Sequence, residues 1–208
     1  MSFEGFPVAA LDFYDDLEMD NTKSFWEAHK PVYADAVRAP MTALCAALEP
    51  EFGTAKVFRP YRDVRFAKDK TPYKTHQGAF VSAGPATGWY VEISAAGVRV
   101  GVGYYRAERE QLAAIRSAID HDRTGPELAG IVEGLEADGW ERTGETLKTS
   151  PRGFDADHPR IDLLRHKSLT LGRSYGFPEE IHTAELLEWV RRDWRAGRPL
   201  VEWVQATA

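Results

Sequence analysis

Residues 59–74, RPYRDVRFAKDKTPYK, combine the charged side chains in this sequence that are best suited to chemistry. Six of them are Lys or Arg and two are Asp, which gives the segment a net charge of +4 in a chain whose formal net charge is −6. Arginine offers a planar fork of donors that suits phosphate and carboxylate groups, and lysine adds a point charge. The segment therefore indicates a site for a small anion.

The spacing of three arginines suggests how such a site would work. Arg59, Arg62 and Arg65 would clamp the anion, and Asp63 would orient them in a positive neighbourhood that favours its ionised form. The site would also include Lys70, Tyr73 and Lys74. Two other interpretations are open: a solvated strand edge whose cations discourage aggregation, and an internal Arg–Asp ion-pair network.

A second candidate segment is KTSPRGFDADHPRIDLLRHK, residues 148–167. If folding brings it near Arg62, it would add a second wall to the site, formed by Lys148, Arg152, Asp157, His158 and Lys167. Asp155, Asp157 and His158 are also of the types that bind hard metals or act as general bases. The Asp, Gly and Pro content describes a turn equally well, and no spacing is diagnostic of a metal. We therefore expect no metal and no cofactor.

Other catalytic templates are weak in this sequence. His29 and His76 flank the basic segment, and either would serve as a base if the fold brings it to the site. There is no Walker A loop, no Gly-x-Ser-x-Gly elbow and no His-Glu-x-x-His motif. Cys45 lies among apolar residues of a predicted helix, which favours an inert core thiol over a nucleophile. The motifs do not define a reaction.

The elements that must position these residues follow from hydrophobic periodicity. Helices are predicted over Val8–Leu17, Thr22–Lys30, Pro31–Pro50, Arg106–Asp120, Pro126–Ala137 and Thr183–Arg195. Asp20 and Asn21 are N-cap candidates for the second helix, and Pro40 is expected to kink or divide the third. Alternating side chains predict a strand over Val57–Ala67, followed by a loop.

The clearest strand signal is WYVEISAAGVRVGVGYY, which predicts an antiparallel hairpin over residues 89–105. Helices at both ends around such a sheet indicate the α+β class. We expect one domain over residues 1–208, with N-terminal helices, a central, mostly antiparallel sheet and C-terminal helices.

The composition of the chain limits its expected cellular location and its expected kinds of partner. The chain has one cysteine, no apolar run long enough to span a bilayer and no basic, apolar start typical of a signal peptide. These features predict a soluble, cytoplasmic protein without a membrane partner. A pI near 5.6 argues against a general nucleic-acid binder but leaves a local patch open. The oligomeric state does not follow from the sequence.

One pattern carries a family resemblance. It reads Arg-x-x-Arg-Asp-x-Arg-Phe followed by Lys-x-x-Tyr, and its residues are Arg59, Arg62, Asp63, Arg65, Phe66, Lys70 and Tyr73. It resembles the signature of a conserved bacterial and fungal family of unknown function. DNTKSFWEAHKPVY, VGVGYYRAEREQLAAIRSAI and LKTSPRGFDADHPRIDLLRHKS are also similar to that family, so the resemblance covers roughly residues 5–175. The C-terminal helix lies beyond it, and the resemblance implies no activity.

Two function classes remain. The first is a protein that binds a small phosphate- or carboxylate-bearing ligand through the arginine motif, with or without a reaction. The alternative is a non-catalytic interaction module whose basic segment docks an acidic protein or a nucleic-acid backbone.

Overall fold

The structure is a computed structural model that describes residues 2–65 and 68–207. Its helices are α1 (Val8–Met19), α2 (Lys23–Val32), α3 (Ala39–Phe52), α4 (Arg109–Asp120), α5 (Thr124–Ala137), α6 (Ile161–Leu164) and α7 (Glu185–Thr207). A π-helical segment, Tyr33–Arg38, joins α2 to α3, and a 3₁₀ turn, Glu179–His182, precedes α7. The strands are β1 (Ala55–Val57), β2 (His76–Gly84), β3 (Thr87–Ser94), β4 (Gly97–Tyr104), β5 (Glu141–Thr143) and β6 (Leu169–Gly176).

The six strands form one antiparallel sheet in the order β1-β2-β3-β4-β6-β5. At one edge Lys56 pairs with Phe80, and at the other Arg142 pairs with Leu171. Helices precede and follow the sheet, so the predicted α+β class is confirmed. The predicted hairpin is β3 and β4, which are joined by a two-residue turn at residues 95–96.

The residues group into two compact units. The first contains residues 2–65, 68–81, 90–99 and 174–192, and the second contains residues 82–89, 100–173 and 193–207. Strands β2, β3, β4 and β6 each contribute residues to both units. The prediction of one domain over residues 1–208 stays a prediction.

The first unit is built on an aromatic core under the N-terminal helices. Phe13 contacts Trp26 edge-on at 5.9 Å between ring centroids, and Trp26 contacts Tyr33 at 4.8 Å. Cys45 is buried in α3, and burial raises the pKa of its thiol to about 12. The sequence-based interpretation of Cys45 as an inert core thiol agrees with this environment.

The starts of the N-terminal helices differ from the prediction. The N-cap of α2 is Thr22, whose hydroxyl accepts a hydrogen bond from the Phe25 N–H at 3.2 Å, rather than Asp20 or Asn21. Pro31 lies inside α2 instead of opening a helix. Just before Pro40 the chain takes π-helical pairing, which is compatible with the N–H that Pro40 lacks.

The second unit contains α4, α5 and α6 with the neighbouring parts of the sheet. Ile115 and Ile119 form the buried stripe of α4, as the apolar spacing predicts. Among the described residues, no helix has both the length and the apolar character needed to cross a membrane.

Two predicted boundaries were wrong. The C-terminal helix extends to Thr207 instead of ending near Arg195, because Val201 and Val204 continue its buried stripe and offset the one hydrogen bond that Pro199 removes. The strand predicted over Val57–Ala67 ends at Val57, and residues 66 and 67 lie outside the described part of the chain.

Candidate functional site

We call residues 59–74 the basic loop, of which the structure describes 59–65 and 68–74. Its two arms meet at an isolated antiparallel bridge between Tyr61 and Tyr73. The Arg62 N–H donates to the Pro72 carbonyl at 2.9 Å, and the Lys74 N–H donates to the Pro60 carbonyl at 2.8 Å. Because both prolines lack an N–H, they serve only as acceptors and the pairing stops there. This explains why the predicted long strand does not form.

Asn21 anchors the basic loop to the turn between α1 and α2. Its Oδ1 accepts from the Tyr73 N–H at 3.1 Å, and its Nδ2 donates to the Tyr73 carbonyl at 3.0 Å. The Tyr73 ring stacks on Trp26 at 4.3 Å and is only 4% exposed. Tyr73 therefore holds the loop against the aromatic core, and a ligand contact by its side chain stays a prediction.

Two of the three arginines have aspartate partners within the basic loop. Arg65 binds Asp63 through two hydrogen bonds, Nε to Oδ1 at 3.0 Å and Nη2 to Oδ2 at 2.7 Å, and Arg62 pairs with Asp69. The Arg65 side chain and N–H lower the pKa of the Asp63 carboxyl, and the Thr71 N–H and hydroxyl, followed by Arg62, lower that of Asp69. These pairs are exposed, so they organise the loop more than they stabilise the fold.

Arg59 and Lys74 differ from those arginines. In residues 2–65 and 68–207, neither side chain forms an ion pair or a hydrogen bond. The Lys74 Nζ lies 5.2 Å from the centroid of the Phe58 ring and is half-buried. Burial first, and then the charges of Arg59 and Arg62, lower the pKa of the Lys74 ammonium. Lys74 therefore lies in a field of positive charge and has no ion-pair partner among the described residues, although Asp69 pairs with Arg62 and the charge of Arg59 acts on Asp63.

Lys70 has a more local role than the other predicted ligands. Its Nζ donates to the Val64 carbonyl at 2.9 Å, and the side chain lies on the exposed part of the loop. Lys70 thus closes the loop internally, and its contribution to a ligand stays a prediction.

β2 and β3 add three ionisable groups on the side of Lys74. The Tyr90 hydroxyl donates to the Glu92 Oε2 at 2.6 Å, and the His76 Nε2 lies 4.0 Å from the same oxygen. Burial lowers the pKa of His76; Lys74 and Arg62 lower it further, and Glu92 opposes them. Burial and Glu92 also raise the pKa of Tyr90, which keeps its hydroxyl neutral and able to donate.

Sequence reasoning identified His76 as a candidate base but missed Glu92 and Tyr90. The sequence pattern that could have identified these two residues is the alternation of side chains in β3. It places both of them on the face opposite Trp89, Val91 and Ile93. His29, the other candidate base, stacks on Phe25 at 4.0 Å and its Nδ1 contacts the Phe25 carbonyl at 2.9 Å, so it belongs to α2.

The predicted second wall lies in the second unit. Lys148, Arg152 and Asp157 are exposed, whereas His158 Nε2 lies 3.1 Å from the Asp120 Oδ1 and Lys167 pairs with Glu145. His158 ties the segment to the end of α4, as expected of a structural turn. A contribution of this wall to the basic loop stays a prediction. In the part of the chain that the structure describes, no three His, Cys, Asp or Glu residues form a group that could hold a metal.

Helices at both ends, an antiparallel sheet and a basic loop between its first two strands define an α+β protein with a candidate anion site. The chain belongs to a conserved hypothetical protein family, DUF2461, whose match covers residues 9–203. That match includes most of α7, beyond the range of the sequence resemblance, while the arginine motif as the family signature stays a prediction. No curated protein and no solved structure matches the chain.

Proposed function

We propose that the protein binds a small anionic ligand, bearing phosphate or carboxylate groups, at the basic loop. The observation that carries the proposal is that two cations beside Arg62, namely Arg59 and Lys74, have no ion-pair partner among the described residues. Like charges at such positions repel one another, and an anion between them replaces repulsion with attraction.

The pairing of the basic loop supports this arrangement. In the antiparallel register of the Tyr61–Tyr73 bridge, Arg62 and Lys74 are diagonal neighbours on one face. Such neighbours have Cα atoms about 7–8 Å apart, so their long side chains can reach one small group between them. The opposite face, with Tyr61 and Tyr73, packs toward Trp26. Arg62 and Lys74 therefore lie on the face opposite the one that contacts Trp26.

The loop is also held in place before a ligand arrives. Asn21 fixes the Tyr73 backbone, and the Arg65–Asp63 and Arg62–Asp69 pairs fix the described parts of the loop. A site that is ordered in advance loses less conformational entropy on binding. Asp63 thus orients Arg65, while Arg59 and Lys74 remain available to the anion.

Isothermal titration calorimetry with pyrophosphate and with citrate tests the proposal. We expect binding by the wild type and about 10- to 100-fold weaker binding by Arg59→Ala and Lys74→Ala, because a hydrogen bond to a charged group contributes about 1.5–3 kcal/mol. Arg106→Ala is the matched control, since Arg106 is an exposed arginine outside the basic loop. Absence of binding to both anions, or equal weakening by Arg106→Ala, contradicts the proposal.

The alternative, docking to a nucleic-acid backbone, predicts a different result. Arg62 and Arg65 already have aspartate partners, which leaves four cations of the loop for phosphates: Arg59, Lys68, Lys70 and Lys74. Binding to duplex DNA through these four would weaken with salt with a logarithmic slope of about −4. Retention on DNA with that slope, together with no response to small anions, would favour the alternative.

A further inference from the structure

His76 is the ionisable group beside the basic loop that the proposed function leaves unused. It is the first residue of β2, two residues after Lys74, and its imidazole faces the Glu92 carboxylate at 4.0 Å. The charges of Arg62 and Lys74 in the basic loop lower the pKa of the imidazole, and the charge of Glu92 in β3 raises it. The Tyr90 hydroxyl donates a hydrogen bond to one carboxylate oxygen of Glu92. The charge of Arg99 in β4 opposes the rise in the pKa of Tyr90. The imidazole thus stands between one carboxylate and a group of cations.

We propose that the ligand of the basic loop carries a dianionic phosphoryl group, and that His76 shares one proton with it in the complex. This inference rests on the proposed function, because it concerns the same site. It narrows the ligand class from any phosphate or carboxylate to a phosphate monoester or a similar dianion.

The charge balance favours a dianion. Arg59 and Lys74 supply two positive charges that no carboxylate of the described residues neutralises through an ion pair. A single carboxylate would neutralise one of them and leave the other beside Arg62. A phosphoryl group has enough oxygens to accept from both cations and still offer one to an imidazole N–H.

The position of His76 favours proton sharing. Burial lowers the pKa of His76 most, and the charges of Lys74 and Arg62 lower it further; a bound dianion would cancel the field of these two cations. Binding therefore favours protonation of His76, with Glu92 on its other side to stabilise the imidazolium. A phosphate monoester has a second pKa of about 6, so near that pH a single proton lies either on the ligand or on His76.

Two probes, sulfate and methyl phosphate, separate the proton that His76 takes up from the proton that the ligand carries. Sulfate remains a dianion across the range in which histidine titrates, so its binding to the wild type should tighten as the pH falls from about 8 to about 5. Between the two ends of this pH range, the affinity for sulfate should increase by at most about tenfold for each unit by which bound sulfate raises the pKa of His76. The affinity for methyl phosphate should change less with pH than the affinity for sulfate. Free methyl phosphate itself binds a proton as the pH falls, so the complex takes up little further proton when His76 is protonated.

Variants complete the experiment. In His76→Gln, sulfate binding should lose its pH dependence, and methyl phosphate binding should weaken as the pH falls below about 6 because the dianion is lost. His121→Gln is the control, since His121 is an exposed histidine at the end of α4, and it should behave like the wild type. NMR titration of the wild type should show a higher His76 pKa with sulfate than without it.

The outcomes distinguish the two proposals. If both probes bind and Arg59→Ala weakens them, but the pH profiles of His76→Gln and the wild type coincide, the inference is wrong and the proposed function stands. If acetate binds as tightly as sulfate, the dianion requirement is wrong. If neither the probes of this experiment nor pyrophosphate nor citrate binds at any pH, the proposed function fails, and the inference fails with it.

Discussion

At the scale of single residues, Asn21 determines where the basic loop lies. Its side-chain amide donates one hydrogen bond to the backbone of Tyr73 and accepts another from it, although the two residues are 52 positions apart in the chain. These bonds connect the turn after α1 to the loop arm that carries Lys74. A change at Asn21 therefore affects the candidate site without removing a charge from it.

We predict that Asn21→Ala lowers the free energy of unfolding by about 1–3 kcal/mol, because it leaves the partly buried N–H and carbonyl of Tyr73 without their partner. Urea denaturation monitored by tryptophan fluorescence measures the change. Asn21→Asp keeps the acceptor for the Tyr73 N–H and loses the donor, so it should fall between Ala and the wild type. A stability of Asn21→Ala equal to the wild type would show that these bonds do not hold the loop.

The residue types of the candidate site could be predicted from the sequence, but their partners could not. Local charge density identified the arginines, yet Arg59 and Arg62 look alike in a sequence that does not show which one reaches an aspartate. The Arg62–Asp69 pair depends on the path of the loop, and the contact of His76 with Glu92 depends on strand pairing. Such long-range geometry has no local signal.

At the scale of elements, the packing of α7 against β4 in the second unit depends on one small residue. A Cβ added at Gly197 would lie 2.5 Å from the Val102 Cγ1 and 3.0 Å from its Cβ. Valine is branched at Cβ and has few alternative rotamers, so it cannot easily move away. The close approach explains why a glycine is accommodated in the middle of a long helix.

We predict that Gly197→Ala lowers the free energy of unfolding by about 1–3 kcal/mol, because the overpacking outweighs the gain of about 1 kcal/mol in helix propensity. Gly134→Ala is the matched control: Gly134 lies in α5 with no atom within 4 Å of an added Cβ, and the change should stabilise by about 0.5–1 kcal/mol. Chemical denaturation of both variants measures the difference. Equal stabilisation by both would contradict the close contact.

Elements with strong, uninterrupted periodicity were predicted well, and those with mixed signals were not. The β3–β4 hairpin follows from alternating apolar residues, and α4 follows from its buried isoleucines. β2 was missed because its start, His76–Gly78, resembles the polar loop before it. The end of α7 was missed because Gly197 and Pro199 are typical of helix ends, whereas tertiary packing continues the helix through them.

At the scale of the whole molecule, the stability should depend on pH through two half-buried or buried histidines. Burial lowers the pKa of His76 and of His166, the latter being 7% exposed with its Nδ1 2.8 Å from the Ser168 carbonyl. In the unfolded chain both return to a pKa of about 6.5. The unfolded state then binds more protons than the folded state at mildly acidic pH.

The sign of the effect follows from that difference. Above about pH 6.5 both states are neutral at these positions and stability is at its full value; as the pH falls below 6.5 toward the folded pKa values, stability is lost. The lowered pKa values of Asp63 and Asp69 act in the same direction only near and below the ordinary aspartate pKa of 3.8. The histidines should therefore dominate the loss between about pH 7 and about pH 5.

We predict that the free energy of unfolding, measured by urea denaturation, decreases from about pH 7 to about pH 5, and that His76→Gln/His166→Gln removes most of this decrease. His121→Gln should keep the wild-type slope, because His121 is exposed. If His166→Gln alone prevents folding, His76→Gln should still reduce the slope, since each histidine contributes independently. A slope that is unchanged in His76→Gln would mean that its imidazole is protonated equally in the folded and unfolded chains, contrary to the effect of its burial and of the nearby charges of Lys74 and Arg62.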